Sequence, residues 1–170
     1  MMDTRKVARA VILVAIGVAL SPFTSIPIGI AKINPTQHFV NVLGAVLLGS
    51  WWATGIALII GILRNALGTG TLLAFPGGMI GAFIAGFFYR YTRNIYIAAF
   101  GEIIGTGLLG AIASALIVAP VLMKKGMAMG ALVIAFSGSS LLGSIIGVLA
   151  LKLLERGGIA KLKRNHDSPL

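Results

Sequence analysis

The chain has 170 residues, of which 58% are hydrophobic and 11% charged, with a mean hydropathy of +1.00. Soluble domains carry about 45–50% apolar and about 25% charged residues, so these few charges cannot cover a water-facing surface, and lipid must solvate most of the chain. Cysteine is absent, which excludes disulfides and thiolate metal sites, and the net charge of +10 fits cationic helix flanks against anionic headgroups rather than nucleic acid.

Charged residues divide the chain into uncharged runs at 10–31, 33–63, 65–89 and 126–151, with 94–123 broken only by Glu102. A spanning helix takes about 20 apolar residues. Four runs fit one span each, whereas 33–63 is long for one span and short for two. The positive-inside rule decides. If 33–63 turns near Gly49-Ser50, there are six spans, and ten basic residues gather on the side of both termini. Only Lys32, Arg64, Lys124 and Lys125 stay opposite. With five spans the basic C-terminal tail falls outside and the bias disappears.

The expected fold is therefore an all-α integral membrane protein, a six-transmembrane-helix bundle with both termini cytoplasmic, multi-pass in the cell membrane. The expected spans are 7–21, 36–50, 51–64, 77–92, 96–119 and 129–154. Residues 1–155 form the membrane domain and 156–170 a basic cytoplasmic tail. A signal peptide competes for the first span, but its removal would put the two basic ends on opposite sides.

Small residues recur at i, i+4: Ala15/Ala19, Ala57/Gly61, Gly77/Gly81, Ala82/Gly86, Gly101/Gly105 and Gly143/Gly147. Such pairs let helix backbones approach closely in lipid. Most serve packing inside the bundle. Ala15/Ala19, on the first span, is the candidate docking face for another membrane protein.

Polar residues inside hydrocarbon are costly, so their positions are informative. Residues 21–32 hold two prolines and a glycine and read as an irregular segment folded over the outer mouth of the bundle. In 34–41, Gln37, His38 and Asn41 share one helical face, with Thr36 expected to cap that helix. Residues 64–78 begin with Arg64-Asn65 and contain Gly68-Thr69-Gly70-Thr71, which lacks the GxxxxGK[ST] pattern and a preceding strand, so nucleotide binding is rejected. Arg64 reads either as a buried group holding an anion or a carbonyl or as an interfacial side chain. Glu102 is the sole acidic residue inside a span, with Thr106 one turn on; a carboxylate there needs a partner or a proton. Ser139 and Ser144 place hydroxyls on the last helix, where serine often bonds its own backbone. Trp51-Trp52 sits at the proposed cytoplasmic turn, where indole prefers the interface. His38 and His166 have no HExxH-type spacing, and no catalytic triad is visible, so neither a metal nor a catalytic residue is assigned.

Several stretches together carry a resemblance: Ser21-Pro22-Phe23, Pro27-Ile28-Gly29-Ile30-Ala31-Lys32, Gln37-His38-Phe39-Val40-Asn41, Arg64-Asn65 through Phe75-Pro76-Gly77, and Gly101-Glu102-Ile103-Ile104-Gly105-Thr106-Gly107. In these the chain resembles the substrate-binding S component of energy-coupling-factor (ECF) vitamin transporters, of the ThiW type. Gly78 stands where that pattern leads one to expect a serine. The resemblance implies a six-helix fold with both ends cytoplasmic and uptake of hydroxyethylthiazole, the thiazole precursor of thiamin. It also implies a complex with a transmembrane coupling subunit and two ATPase subunits. No cofactor is implied.

A small, neutral heteroaromatic substrate needs apolar walls with a few placed donors and acceptors. Gln37, His38, Asn41, Glu102 and Thr106 are the expected polar contacts, with Arg64, Asn65, Thr71 and Ser139 beside them, and Phe39 or Phe75 stacked on the ring. The competing readings are a stand-alone carrier or channel, an intramembrane enzyme using His38, Glu102 or Ser139, and a purely structural assembly subunit.

Overall fold

A computed structural model describes residues 3–28 and 31–159. Gly29 and Ile30 of the mouth segment, and Lys161, Lys163, Arg164 and His166 of the basic tail, lie outside the described residues.

Helix α1 (Thr4–Ala19) starts at Asp3, whose Oδ1 accepts from Arg5 N at 3.0 Å. It buries Ala10, Leu13 and Gly17. This face meets α4 so closely that a Cβ at Gly17 would collide with Ile60. A single turn, α2 (Ser21–Thr24), has Pro22 in its first turn. An antiparallel hairpin follows, β1 (Ile26–Ile28) against β2 (Ala31–Ile33), with Ile26 opposite Ile33 and Pro27 opposite Lys32. Residues 21–32, expected to be irregular, instead hold a helical turn and two short strands, the second ending at Ile33. Pro22 sits where its missing N–H is harmless to a helix, and Pro27 occupies a strand of a two-stranded sheet, where every strand is an edge.

Helix α3 (Pro35–Leu48) is capped by Asn34, not Thr36: Asn34 Oδ1 accepts from Gln37 N at 3.1 Å. Asparagine followed by Pro35 at the first helical position is a strong start signal. Thr36 instead lies 2.9 Å, hydroxyl to hydroxyl, from Thr24. The chain turns at Gly49, whose φ of +95° suits glycine, into α4 (Ser50–Ala66). Helix α5 (Ala74–Thr92) ends on Arg93 at φ +51°. Asn94 then caps α6 (Ile95–Ile104), accepting from Tyr96 N at 2.8 Å. The same helix runs on through a π-helical stretch (Gly105–Gly110), the short α7 (Ala111–Ala113) and a second π-helical stretch (Ser114–Leu122) containing Pro120. Helix α8 (Met129–Arg156) completes the described chain.

Six long helical segments are thus described, with ends within three residues of the expected ones. Two of them, Ile95–Leu122 and Met129–Arg156, are each 28 residues and apolar enough to cross a bilayer. Helix α3 is the centre, packed on α1, α4, α5, α6 and α8. Glycines set the helix spacing. A Cβ at Gly110 would strike the backbone of Gly77, one at Gly105 would lie 2.7 Å from Gly81 Cα, and one at Gly143 would strike Pro35 O. The packing role read from the small-residue pairs is met at these crossings.

Two apolar cores flank a polar layer. One joins Leu13, Val40, Ile60, Tyr89 and Leu151; the other joins Leu73, Ala111, Val118, Leu132 and Phe136. Outward, Ile12, Ile59, Leu109, Ile117, Ile134, Leu142 and Leu149 are exposed, an apolar surface on the scale of a lipid-facing one. At one end of the bundle Lys6, Arg90 and Arg93 line a groove with Trp51 and Trp52. The hairpin and the loop between α4 and α5 close the other end.

Candidate functional site

The site lies under the hairpin, where α3, α5, the 95–122 helix and α8 converge. Its deepest part is a network on Glu102, which is fully buried. Glu102 Oε1 lies 2.8 Å from His38 Nδ1 and accepts from Asn41 Nδ2 at 3.1 Å and Thr106 Oγ1 at 2.8 Å. Asn41 Nδ2 also donates to Gly78 O at 2.9 Å, and Gly77 O, 2.9 Å from Thr106 Oγ1, is the alternative acceptor for that hydroxyl's single proton. These bonds need close backbones: a Cβ at Gly81 would sit 2.5 Å from Glu102 Oε2. With the carboxylate accepting, His38 Nδ1 is the donor, which leaves Nε2 as the acceptor of the neutral ring.

Above this network Arg64 is 1% exposed. Its Nη1 donates to Gln37 Oε1, and its Nη2 to Thr69 O at 3.2 Å. Of the two expectations for Arg64 the structure shows the buried one, holding carbonyl oxygens. His38 faces the Glu102 carboxylate at 2.8 Å, and no carboxylate among the described residues is paired with Arg64. The lid above is tied down by Lys32 Nζ donating to Gly68 O and by Ser25 Oγ donating to Thr69 O at 2.9 Å.

Between the two layers is a small cavity of about 20 Å³, room for a single water. Gln37, His38, Arg64, Thr106 and Ser139 line it, with Gly77, Gly78 and Phe136 as apolar wall and Lys32 and Asn34 at the rim. Several polar atoms here are buried without a partner: Gln37 Nε2, Arg64 Nε, Ser139 Oγ and, deeper, Asn41 Oδ1 and Glu102 Oε2. Orphaned buried polar atoms are rare and costly. Their convergence on one cavity gives a neutral polar ligand both donors and acceptors to meet.

The expected residues separate into three groups. Gln37, His38, Arg64, Thr106 and Ser139 line the cavity, while Asn41 and Glu102 support it from below. Asn65 donates to Gly61 O at 2.8 Å and to Thr71 O at 3.3 Å, fastening the loop rather than facing the cavity. Thr71 Oγ1 is buried and unpartnered but outside the lining. Neither Phe39 nor Phe75 lines the cavity; Phe39 packs in the core with Leu13 and Val40, and Phe75 packs on Gly61. The aromatic wall is Phe136, which sequence reasoning missed: the serines that follow it (Ser137, Ser139, Ser140) draw attention to hydroxyls, and one phenylalanine in an apolar helix does not stand out. Ala15 and Ala19 lie on the exposed face of α1, away from the cavity.

No curated protein matches the chain. The profile of the family described as thiamine-precursor transporter protein (ThiW) matches residues 7–157, a stretch holding all six long helices except the first turn of α1. That match, on a helical chain with an apolar exterior and two membrane-length helices, shows that the chain is a membrane protein and belongs to the ThiW family of thiamine-precursor transporters.

Proposed function

We propose that this chain is the substrate-binding S subunit of an ECF-type importer for hydroxyethylthiazole, spanning the cell membrane six times with both termini in the cytoplasm. The single observation that carries the reading is the set of orphaned polar atoms around a small cavity walled on one side by Phe136. A five-membered aromatic ring with one ring nitrogen and one hydroxyl arm matches that set. Phe136 stacks on the ring, Gln37 Nε2 donates to the ring nitrogen, and His38 Nε2 or Ser139 Oγ receives the hydroxyl. The orientation of the bundle follows from charge: Lys6, Arg90 and Arg93 gather at the end opposite the site, and basic residues favour the cytoplasm. The site therefore opens outward.

The ECF resemblance implies the energised partners, a transmembrane coupling subunit and two ATPases, and the absence of a nucleotide motif in this chain agrees with that division of labour. The exposed Ala15/Ala19 face of α1 is the docking surface. Ala15→Leu should abolish assembly with the coupling subunit and leave ligand binding intact.

Calorimetry on the purified protein with hydroxyethylthiazole, the pyrimidine precursor and thiamin tests the reading. Hydroxyethylthiazole should bind, and Ser139→Ala and Phe136→Ala should each weaken it about tenfold, the value of one hydrogen bond or one aromatic contact. Wild-type affinity in both variants would remove the site from the cavity. Ligand uptake by vesicles holding this chain alone would favour a stand-alone carrier.

A further inference from the structure

We infer that Arg64 and Gln37 make the site selective for a ring nitrogen with a free lone pair, so that it takes a neutral thiazole and rejects the thiazolium cation of the finished vitamin. The inference rests on the thiazole reading above and adds which charge state of that ring is accepted.

The charged groups lining the cavity are Arg64 and, at the rim, Lys32; no carboxylate is among the lining residues. Glu102, the one buried carboxylate described, lies beneath the lining, and three side chains converge on its Oε1. A guanidinium has donors in a fixed fork and no acceptor. The partners of Arg64 are two neutral oxygens, and its Nε has none.

Gln37 extends this donor wall. Because its Oε1 receives Arg64, its amide orientation is set, and Nε2 is the atom left buried and unpartnered. Gly78 leaves room for that amide group: a Cβ at 78 would strike Gln37 Nε2 and lie 3.3 Å from Cδ. The side of the cavity formed by Arg64 and Gln37 therefore offers N–H groups and positive charge, with the acceptors on the other sides. An unalkylated thiazole nitrogen presents a lone pair to it. In a thiazolium that lone pair is replaced by a carbon substituent, and the ring carries a positive charge facing a second one. A site built on hydrogen bonds discriminates strongly against an analogue that cannot make them.

The probe pair is hydroxyethylthiazole and its N-methyl thiazolium derivative, which differ by one methyl group and one charge. Calorimetry on the full chain in lipid nanodiscs should give at least about 100-fold weaker binding for the methylated ring. In Arg64→Met the ratio should shrink to within about tenfold, one hydrogen bond's worth, through better binding of the cation. Gln37→Glu keeps the side-chain size, places a carboxylate on Arg64 and should narrow the ratio in the same direction, so the inference stays testable if Arg64→Met does not fold. Equal wild-type affinity for the two rings would overturn the inference while leaving the thiazole reading in place, as would a ratio unchanged in Gln37→Glu. Binding of neither ring by the wild type would overturn both.

Discussion

Glu102 shows what one side chain does in this bundle. Its Oε1 gathers three donors from two helices, but they do not depend on it equally. Asn41 and Thr106 keep second acceptors in Gly78 O and Gly77 O, whereas His38 Nδ1 bonds Glu102 alone among the described residues. Glu102→Ala should therefore cost about 1–3 kcal/mol, the penalty for one orphaned buried donor, and Glu102→Gln less. Thermal unfolding in detergent measures both, and a neutral Glu102→Ala would show that the network contributes nothing to stability. Much of this site was legible in the sequence because polar residues stand out in an apolar chain: Gln37, His38 and Asn41 share a face by spacing alone, and Glu102 with Thr106 are one turn apart. Phe136 was not legible, since one phenylalanine among many apolar residues carries no mark. The cap at Asn34 was legible in principle, because Asn-Pro is a stronger start signal than the threonine after it.

Among the elements, the contact between α5 and the 95–122 helix depends most on its glycines. A methyl added at Gly110 or Gly105 would meet the backbone of Gly77 or Gly81, so at these two positions there is no flexible side chain to displace. Gly110→Ala should destabilise by about 1–3 kcal/mol through overpacking, while Gly138→Ala, on an open face of α8, should be neutral or slightly stabilising. Equal effects in a thermal melt would contradict the close approach. The hairpin and the α4–α5 loop make the other element-scale prediction. They are joined by Ser25 to Thr69 and Lys32 to Gly68, and the chain has no native cysteine. Cysteines at 25 and 69, joined by a short thiol crosslinker, should block ligand binding, and reversal of the link should restore it; undiminished binding would show that the ligand passes elsewhere. Helix positions were readable because charges and Gly49 punctuate the chain. The hairpin was not, because three-residue strands holding a proline give almost no period-two signal. The π-helical stretches leave no sequence signal beyond Pro120 in the second of them.

Across the whole molecule, Lys6, Arg90 and Arg93 gather at one end of the bundle and the polar site, with Arg64 and Lys32, lies toward the other. If both termini are cytoplasmic, single cysteines at Arg5 and Arg156 should react with a membrane-impermeant thiol reagent only from the inner side, and cysteines at Lys32 and Lys124 only from the outer side. Any crossed result would change the number of spans. The size of the cavity has its own consequence. With about 20 Å³ free, the cavity has room for one water, so on the proposed reading a thiazole enters only after the hairpin and the α4–α5 loop part, and association waits for that step rather than for a collision. The observed rate should then level off as ligand concentration rises instead of climbing in proportion. Both tryptophans lie at the far end of the bundle, so a stopped-flow trace needs a fluorophore attached near residue 69, and its plateau would report how often the lid opens unaided.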